Sequence, residues 1–523
     1  MSAKTSGELC KKDKLIKRSN LIEDGNPARY RLQTTTDNQN QSKSYRKIIF
    51  GERDPEKAHI IILIVGETGT GKTTLINTMI NYTCGVQRED KIWIEITDDQ
   101  SKETSAHSQT SIITVYGVYI PESSLDLTII DTPGYGDTRG TGHDKEIARS
   151  LQHLCKSDNL VQQINAVCLV IKADQTRLTD RQQYIFDAVQ CLFGKDIEEN
   201  IVLLFTHSNG LPPKKALTAV KEAKVKCAVD EENFKPVYFL FDNCQSETLE
   251  EEYQTTQEQS WNLSFKGAAQ LFKFLEKINS KTLNLTQEVL KHRKQLEANI
   301  SNLQSRVQEI ELKQNEMKQT QEALKKHKQD VEEKDNFEYT VEVPYKVKID
   351  INRAASKKAL CCTVCEENCH YPGCWWVTNL AWCEVMRKKH CTVCTNKCHY
   401  SKHVKEGKIY AIKTREEKMT YEDLKKKYEN KMSDYESLVS KLKDELHELE
   451  KEKLKLLIEA YHSVESLEKI ALNTGSLFIL EHIDFLIEKL KEIKEPEKAE
   501  HLENIKETKN QESLENMKKS TKK

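Results

Sequence analysis

The chain lacks any apolar run near the roughly 20 residues that a membrane-spanning helix requires. Its first residues, Met1 to Asn20, are polar and basic, unlike a secretory signal. Position 2 is Ser2, which removes the glycine that myristoylation needs, and the Lys-rich end carries no prenylation box. No sign of charge dominates: 80 Lys and Arg stand against 82 Asp and Glu, so charge gives no argument for a nucleic-acid partner. Apolar residues are sparse for 523 residues, at 37% against 31% charged. That is too polar for one compact globule and suits a globular domain joined to long, solvent-washed helices. Together these absences predict a cytoplasmic protein with no integral membrane segment.

What is present falls into ordered parts. Residues 1–57 lack helical periodicity and read as a disordered or partly ordered arm, with only Tyr45–Phe50 strand-like. Residues 58–280 alternate strand and helix. Short apolar runs at Ile60–Val65, Ile112–Ile120, Leu125–Ile130, Ala166–Ile171, Ile201–Phe205 and Val237–Phe241 are separated by helical segments at Lys72–Tyr82, Thr179–Leu192 and Ala216–Ala228. This pattern predicts an α/β domain with a mostly parallel sheet and helices on both faces.

Across 281–335 the period changes to seven: Val289, Leu296, Leu303, Ile310, Met317, Leu324 and Val331, with Ile300 and Val307 in a second row. A second seam in 411–462 comprises Tyr421, Tyr428, Tyr435, Leu442, Leu449 and Leu456. Seven-residue repeats make coiled-coil seams. The expectation is an antiparallel helical hairpin with the Cys/His-rich module, residues 336–410, at its tip; pairing between chains is the rival. Helices are expected over 463–495 and a charged, flexible tail over 496–523.

Gly66-Glu67-Thr68-Gly69-Thr70-Gly71-Lys72-Thr73 fits G-x-x-x-x-G-K-[ST], with a strand before it and a helix, opening at Thr74, after it. Glycines let the backbone curl until several N–H groups point at phosphate oxygens, and the helix N-terminus adds partial positive charge. Lys72 is expected to bridge the β- and γ-phosphates and Thr73 to ligate Mg²⁺. Asp131-Thr132-Pro133-Gly134 follows an apolar strand, which places a carboxylate where Mg²⁺ needs a water-mediated ligand and a Gly134 N–H near the γ-phosphate. Thr110 is the chosen further Mg²⁺ hydroxyl, with Ser108, Ser111 and Thr114 competing. Lys72, Thr73, Thr110 and Gly134 are thus the candidate catalytic set.

From about 60 to 245 the chain resembles the immunity-associated GTPases (the GIMAP family), within a wider group that includes septins and chloroplast-import GTPases. The P-loop, Asp131-Thr132-Pro133-Gly134, Arg177-Leu178-Thr179, Leu192-Phe193-Gly194-Lys195 and Thr206-His207-Ser208-Asn209 carry the resemblance. It implies GTP or GDP with Mg²⁺, His207 and Asn209 at the base, and Asn243 in the last guanine-site segment. It also implies homo-oligomerisation through the G domain. Two departures stand out. Asn209 replaces the usual Asp, which weakens base reading. Tyr135 follows Gly134 where many switch GTPases place a Gln to orient water, so hydrolysis should be slow or dimer-stimulated, with Arg139 and His143 as candidate donors in trans. The expected function is a nucleotide-dependent assembly switch. The alternative is a coiled-coil scaffold in which nucleotide is structural.

Sixteen cysteines remain, nine of them between Cys361 and Cys398. Cys362, Cys365, Cys369, His370 and Cys374 recur 29 residues later as Cys391, Cys394, Cys398, His399 and His403. Such a duplicated C-x-x-C-x-x-x-C-H-x-x-x-[CH] pattern suits structural Zn²⁺. One expected site uses Cys362, Cys365, Cys369 and Cys374, the other Cys391, Cys394, Cys398 and His403. His370 or His399 could replace a fourth ligand, and cross-braced pairing between the halves is equally open. Trp375, Trp376 and Trp382 are expected to pack against the sites, and the module and the coiled coil to engage protein partners.

Overall fold

The computed structural model describes residues 6–36, 45–97, 113–132, 154, 162–245, 253–333, 336–352, 358–371, 373, 377, 379–427, 435–472 and 477–506. The chain divides into two compact units: Met1–Leu290 with Ile470–Ser476, and Lys291–Lys469 with Leu477–Lys523.

The first unit opens with α1 (Ser6–Lys17), β1 (Ser19–Glu23), β2 (Ala28–Leu32), β3 (Thr35–Thr36) and β4 (Tyr45–Phe50). There follow β5 (Ala58–Gly66), α2 (Lys72–Thr83), β6 (Ile92–Glu95), β7 (Ile113–Val118), β8 (Leu125–Asp131) and β9 (Ala166–Lys172). Then come α3 (Asp180–Gln190), β10 (Ile201–Thr206), α4 (Lys214–Glu222), β11 (Tyr238–Leu240) and α5 (Gln254–Lys277). Eight strands form one sheet in the order β11-β10-β9-β5-β8-β7-β4-β3. All neighbours are parallel except β7–β8 and β3–β4.

The central strand explains the two-sided cover. Successive side chains of a strand point to opposite faces. Ile60, Ile62 and Ile64 enter a core with Leu75, Ile76, Met79 and Ile80 of α2 and Leu271 and Leu275 of α5. Ile61, Leu63 and Val65 enter another with Ile185, Phe186 and Val189 of α3 and Ala216 and Val220 of α4. A strand apolar on both faces can rest only in the middle of such a sandwich.

Three features of this unit go beyond the sequence reading. The arm is ordered over 6–36 and 45–50: β1 and β2 join β6 in a three-stranded sheet, β4 pairs with β7, and Leu15, Leu32, Ile48 and Phe50 are buried. Asparagines secure β6 to α2. Asn81 donates from Nδ2 to the Ile94 carbonyl at 2.7 Å and accepts from the Ile94 N–H at 2.9 Å. One turn earlier, Asn77 accepts from the Ile96 N–H at 3.2 Å. Finally, the chain returns to this unit at Ala471 and Leu472, whose N–H meets the Phe193 carbonyl at 3.0 Å.

The second unit holds most of α6 (Asn284–Lys326), α7 (Lys328–Glu333), β12 (Glu338–Asp350), β13 (Ala359–Cys362) and β14 (Glu367–His370). It continues through β15 (His403–Glu406), β16 (Lys408–Thr420), α8 (Tyr421–Lys427), α9 (Tyr435–Ile470) and α10 (Leu477–Glu492). Leu296, Ile300, Leu303, Val307, Ile310, Leu324 and Val331 are buried. Arg306 pairs with Glu452, Glu311 with Lys453, and Leu324 packs in one cluster with Leu438 and Leu442, so α6 and α9 run antiparallel. Glu311 also meets Lys489 of α10, which brings three helices to one carboxylate.

Three expectations fail here. Residues 411–420 are strand rather than helix: β12 and β16 pair antiparallel over their whole length, from Glu338↔Thr420 to Asp350↔Lys408. The start of β12 alternates, with Tyr339 and Val341 buried between exposed neighbours, which is a period of two rather than seven. The Cys/His module also does not sit at the tip. It lies beside residues 294–309 of α6, where Lys294 pairs with Glu384 at 3.1 Å and Asn302 donates to Glu367 at 2.9 Å. The tail too is helical over 496–506, with Ala499 and Leu502 buried. No helix among the described residues is long and apolar enough to cross a membrane.

Candidate nucleotide site and cysteine cluster

The loop between β5 and α2 is built around its glycines. Gly69 and Gly71 take φ of +79° and +80°, the left-handed region that favours glycine. A Cβ on Gly66 would lie 2.8 Å from the Val170 carbonyl oxygen, and one on Gly71 2.9 Å from Asn243 Nδ2. The loop is also tied from neighbouring strands. Thr206 at the end of β10 donates to the Thr70 carbonyl at 2.7 Å, and Asn243 donates to the Gly71 carbonyl at 3.2 Å. Thr70 donates back to the Glu67 carbonyl at 2.9 Å, while Thr68 is exposed.

Gly71 caps α2, whose first turn contains no acidic residue, leaving the N-terminal N–H groups uncontested by carboxylate. Lys72 opens the helix. Its ammonium is buried and donates to the Gly66 and Glu67 carbonyls at 2.9 and 3.0 Å. Burial pushes the Lys72 pKa down, and Asp131 and Glu67 oppose that shift by stabilising the charge. Thr73 and Thr74 follow, half-buried. Asp131 ends β8 opposite Ile64 in the β5–β8 ladder and opposite Thr114 in the β7–β8 ladder. Thr132 donates to the Ile64 carbonyl at 2.9 Å, holding the start of the Asp131 loop against β5. Thr110 and Gly134 lie outside the described residues, as do Ser108, Ser111, Tyr135, Arg139 and His143. Of the hydroxyls proposed for Mg²⁺ besides Thr73, the described one is Thr114, buried in β7.

The base-reading residues divide. His207 and Asn243 both adopt positive φ, and both come within 4 Å of where a Gly71 Cβ would sit. Asn243 Oδ1 is buried with no hydrogen-bond partner among the described residues. Asn209 is exposed instead, and its Oδ1 accepts from the Leu211 N–H at 3.1 Å in a local turn. The acceptor that the sequence assigned to the base is therefore engaged locally, and Asn243 is the acceptor beside the loop. Thr206 was missed as a loop-holding residue, because nothing local in the sequence joins it to Thr70.

The cysteine block presents a second constellation. The described cysteines are free thiols. Two groups bring their ligand atoms within 4.8 Å of one another: Cys362, Cys365, Cys394 and Cys398, and Cys369, Cys391, Cys394 and His403. These groupings differ from the two assigned ligand sets and follow the cross-braced alternative left open above. The halves are cross-braced because β13 pairs with β15, placing Cys362 opposite His403, and because the Cys391 N–H bonds to the Cys398 carbonyl at 2.9 Å. Cys374, Trp375 and Trp376 lie outside the described residues, and Trp382 is 74% exposed rather than packed on a site. His370 turns to Cys383, at 3.3 Å, and His399 to Ser401, at 2.9 Å.

The donor chemistry fits a thiophilic cation. Zinc–sulfur bonds of about 2.3 Å in a tetrahedron put sulfurs about 3.8 Å apart; Cys365 and Cys398 Sγ stand 3.7 Å apart. His403 Nδ1 lies 3.1 Å from the His399 carbonyl, and a proton there leaves Nε2, 3.8 Å from Cys394 Sγ, as the ligand atom. The hydrogen bond from Cys369 is the chief cause that draws the Cys391 pKa down.

The mostly parallel sheet, the glycine loop entering α2 and the carboxylate ending β8 define a P-loop, GTPase-like α/β domain. Within that class the family is specific: residues 60–261 match the AIG1 family, and this segment is a GIMAP-like G domain. Two Arabidopsis thaliana relatives agree. Immune-associated nucleotide-binding protein 10 is 27% identical over 29% of this chain and 28% of its own length. Immune-associated nucleotide-binding protein 7 is 29% identical over 28% of this chain and 40% of its own. The chain thus spans well under half the length of either. A solved structure of Arabidopsis Toc33 with Mg²⁺ and GMPPNP covers 43% of this chain and 88% of its own, at 14% identity and a TM-score of 0.30, too low to establish a shared fold.

Proposed function

We propose that the protein binds GTP with Mg²⁺ and acts as a nucleotide-dependent assembly switch. The supporting observation is the convergence on one glycine loop of Lys72, Asp131, His207 and Asn243, with Asn243 Oδ1 buried and lacking a hydrogen-bond partner among the described residues. Guanine offers N–H donors at N1 and the 2-amino group, and a buried acceptor without a partner is costly until such donors arrive. Lys72 and the loop N–H groups would hold the polyphosphate. Thr73, Asp131 through water, and Thr110 would hold Mg²⁺, whose charge neutralises the phosphate oxygens. The family resemblance supports guanine over adenine and contact between G domains of two chains.

Hydrolysis is slow in this reading, since Tyr135 has no amide to orient water. The second unit serves as an interaction arm: α6 and α9 form a coiled-coil pair, and the cysteine cluster holds structural zinc that fixes a partner-binding surface. A reducing cytosolic setting keeps the thiols available for metal.

Nucleotide extracted from purified full-length protein should be GDP or GTP. Size-exclusion runs should show a larger species with a GTP analogue than with GDP, and turnover per chain should rise with protein concentration. An unchanged assembly state with no turnover would favour a scaffold that holds nucleotide statically.

A further inference from the structure

The two cysteine groups share one sulfur. Cys394 Sγ lies within 4.8 Å of Cys362, Cys365 and Cys398 on one side, and of Cys369, Cys391 and His403 on the other. Resting on the metal-holding reading above, we infer that the module binds two zinc ions as one binuclear cluster, with Cys394 as a bridging thiolate. Cys362, Cys365 and Cys398 complete an outer site, and Cys369, Cys391 and His403 an inner one.

Ligand supply argues for the bridge. Tetrahedral zinc needs four donors, and the described groups offer seven distinct residues for two such shells. Among the described residues, two ions without a shared ligand would leave one with an open position, which a closed structural site does not have. A thiolate sulfur carries three lone pairs, enough for two metals and one N–H donor. Cys394 Sγ has that donor, the Cys398 N–H at 3.3 Å.

Charge is also accommodated. Six thiolates against two divalent ions leave a dianionic cluster, and backbone donors surround it. The Cys365 N–H reaches Cys362 Sγ at 3.4 Å, and Cys391 Sγ receives the Val393 and Cys394 N–H groups at 3.3 and 3.4 Å. Each such bond favours the thiolate.

The two sites differ in access. Cys365 and Cys398 of the outer group are half-buried, whereas all four inner ligands are buried. A chelator should therefore remove one metal equivalent quickly and the second slowly. The inner site is also secured to α6 through Glu367, two residues before Cys369, which accepts from Asn302 Nδ2 at 2.9 Å and from the Thr395 N–H at 3.1 Å.

The test uses the full chain purified from zinc-supplemented medium. Elemental analysis should give two zinc ions per chain. After exchange to cadmium-113, NMR should show two resonances split by mutual coupling through the shared sulfur. Cys365→Ser should retain one metal, and Cys361→Ser should retain both, because Cys361 Sγ contacts Asn368 Oδ1 and the Lys408 carbonyl outside either group. One metal per chain in the unaltered protein, or two resonances without coupling, overturns the bridge while leaving a zinc module intact. No bound metal overturns the zinc reading itself. The unaltered protein supplies the decisive spectrum, so the outcome does not depend on a variant folding.

Discussion

Lys72 shows how much chemistry a single position concentrates. Its ammonium is desolvated and bonded to two loop carbonyls, an arrangement ready to exchange carbonyls for phosphate oxygens. Hydrogen bonds from a charged donor contribute about 1.5–3 kcal/mol each, so Lys72→Ala should weaken GTP binding by about 100-fold or more, read by calorimetry. Zinc content should not change. Asn243→Ala removes both the bond to Gly71 and the buried acceptor; GTP affinity should fall about tenfold, and the preference for GTP over ITP, which lacks the 2-amino group, should shrink. His59 carries a different signal. Burial, and then Arg53, lower its pKa to about 4, and its Nε2 lies 2.8 Å from Thr128 Oγ1. The unfolded chain therefore binds a proton that the folded one refuses between pH 6.5 and 4. Stability should be lost as pH falls through that window, and His59→Gln should flatten the loss in denaturant titrations at successive pH values.

At the scale of elements, legibility follows sequence distance. The P-loop and its flanking strand and helix are contiguous, and Ile60–Val65 announces a strand buried on both faces. Val289 to Val331 likewise writes its stripe in one run, and six of its seven positions, all but Met317, are buried. The β12–β16 ribbon was illegible because each strand alone is a Lys- and Glu-rich segment, and its partner lies across the whole cysteine module. Cross-bracing was hidden for the same reason: a 29-residue repeat shows that ligands are duplicated, not which copies meet. The N-terminal strands owe their order to β6 and β7, far along the chain. Leu438 sits wholly buried with Leu324 and Tyr421 where α6, α8 and α9 meet. Leu438→Ala should cost about 2–5 kcal/mol, measured by denaturant unfolding followed by helical circular dichroism, with GTP affinity unaltered.

For the whole molecule, the glycine loop and the cysteine cluster lie in different compact units, so the nucleotide and metal binding proposed for them is expected to be separable. The central claim is that the first unit holds guanine nucleotide, and titration of GTP against ATP into nucleotide-free, folded full-length protein with Mg²⁺ tests it most directly. The account predicts one GTP site per chain, ATP at least about tenfold weaker, and GTP about 100-fold weaker or more for Lys72→Ala. Absence of heat with both nucleotides in the unaltered protein, or equal affinity for the two, would contradict it.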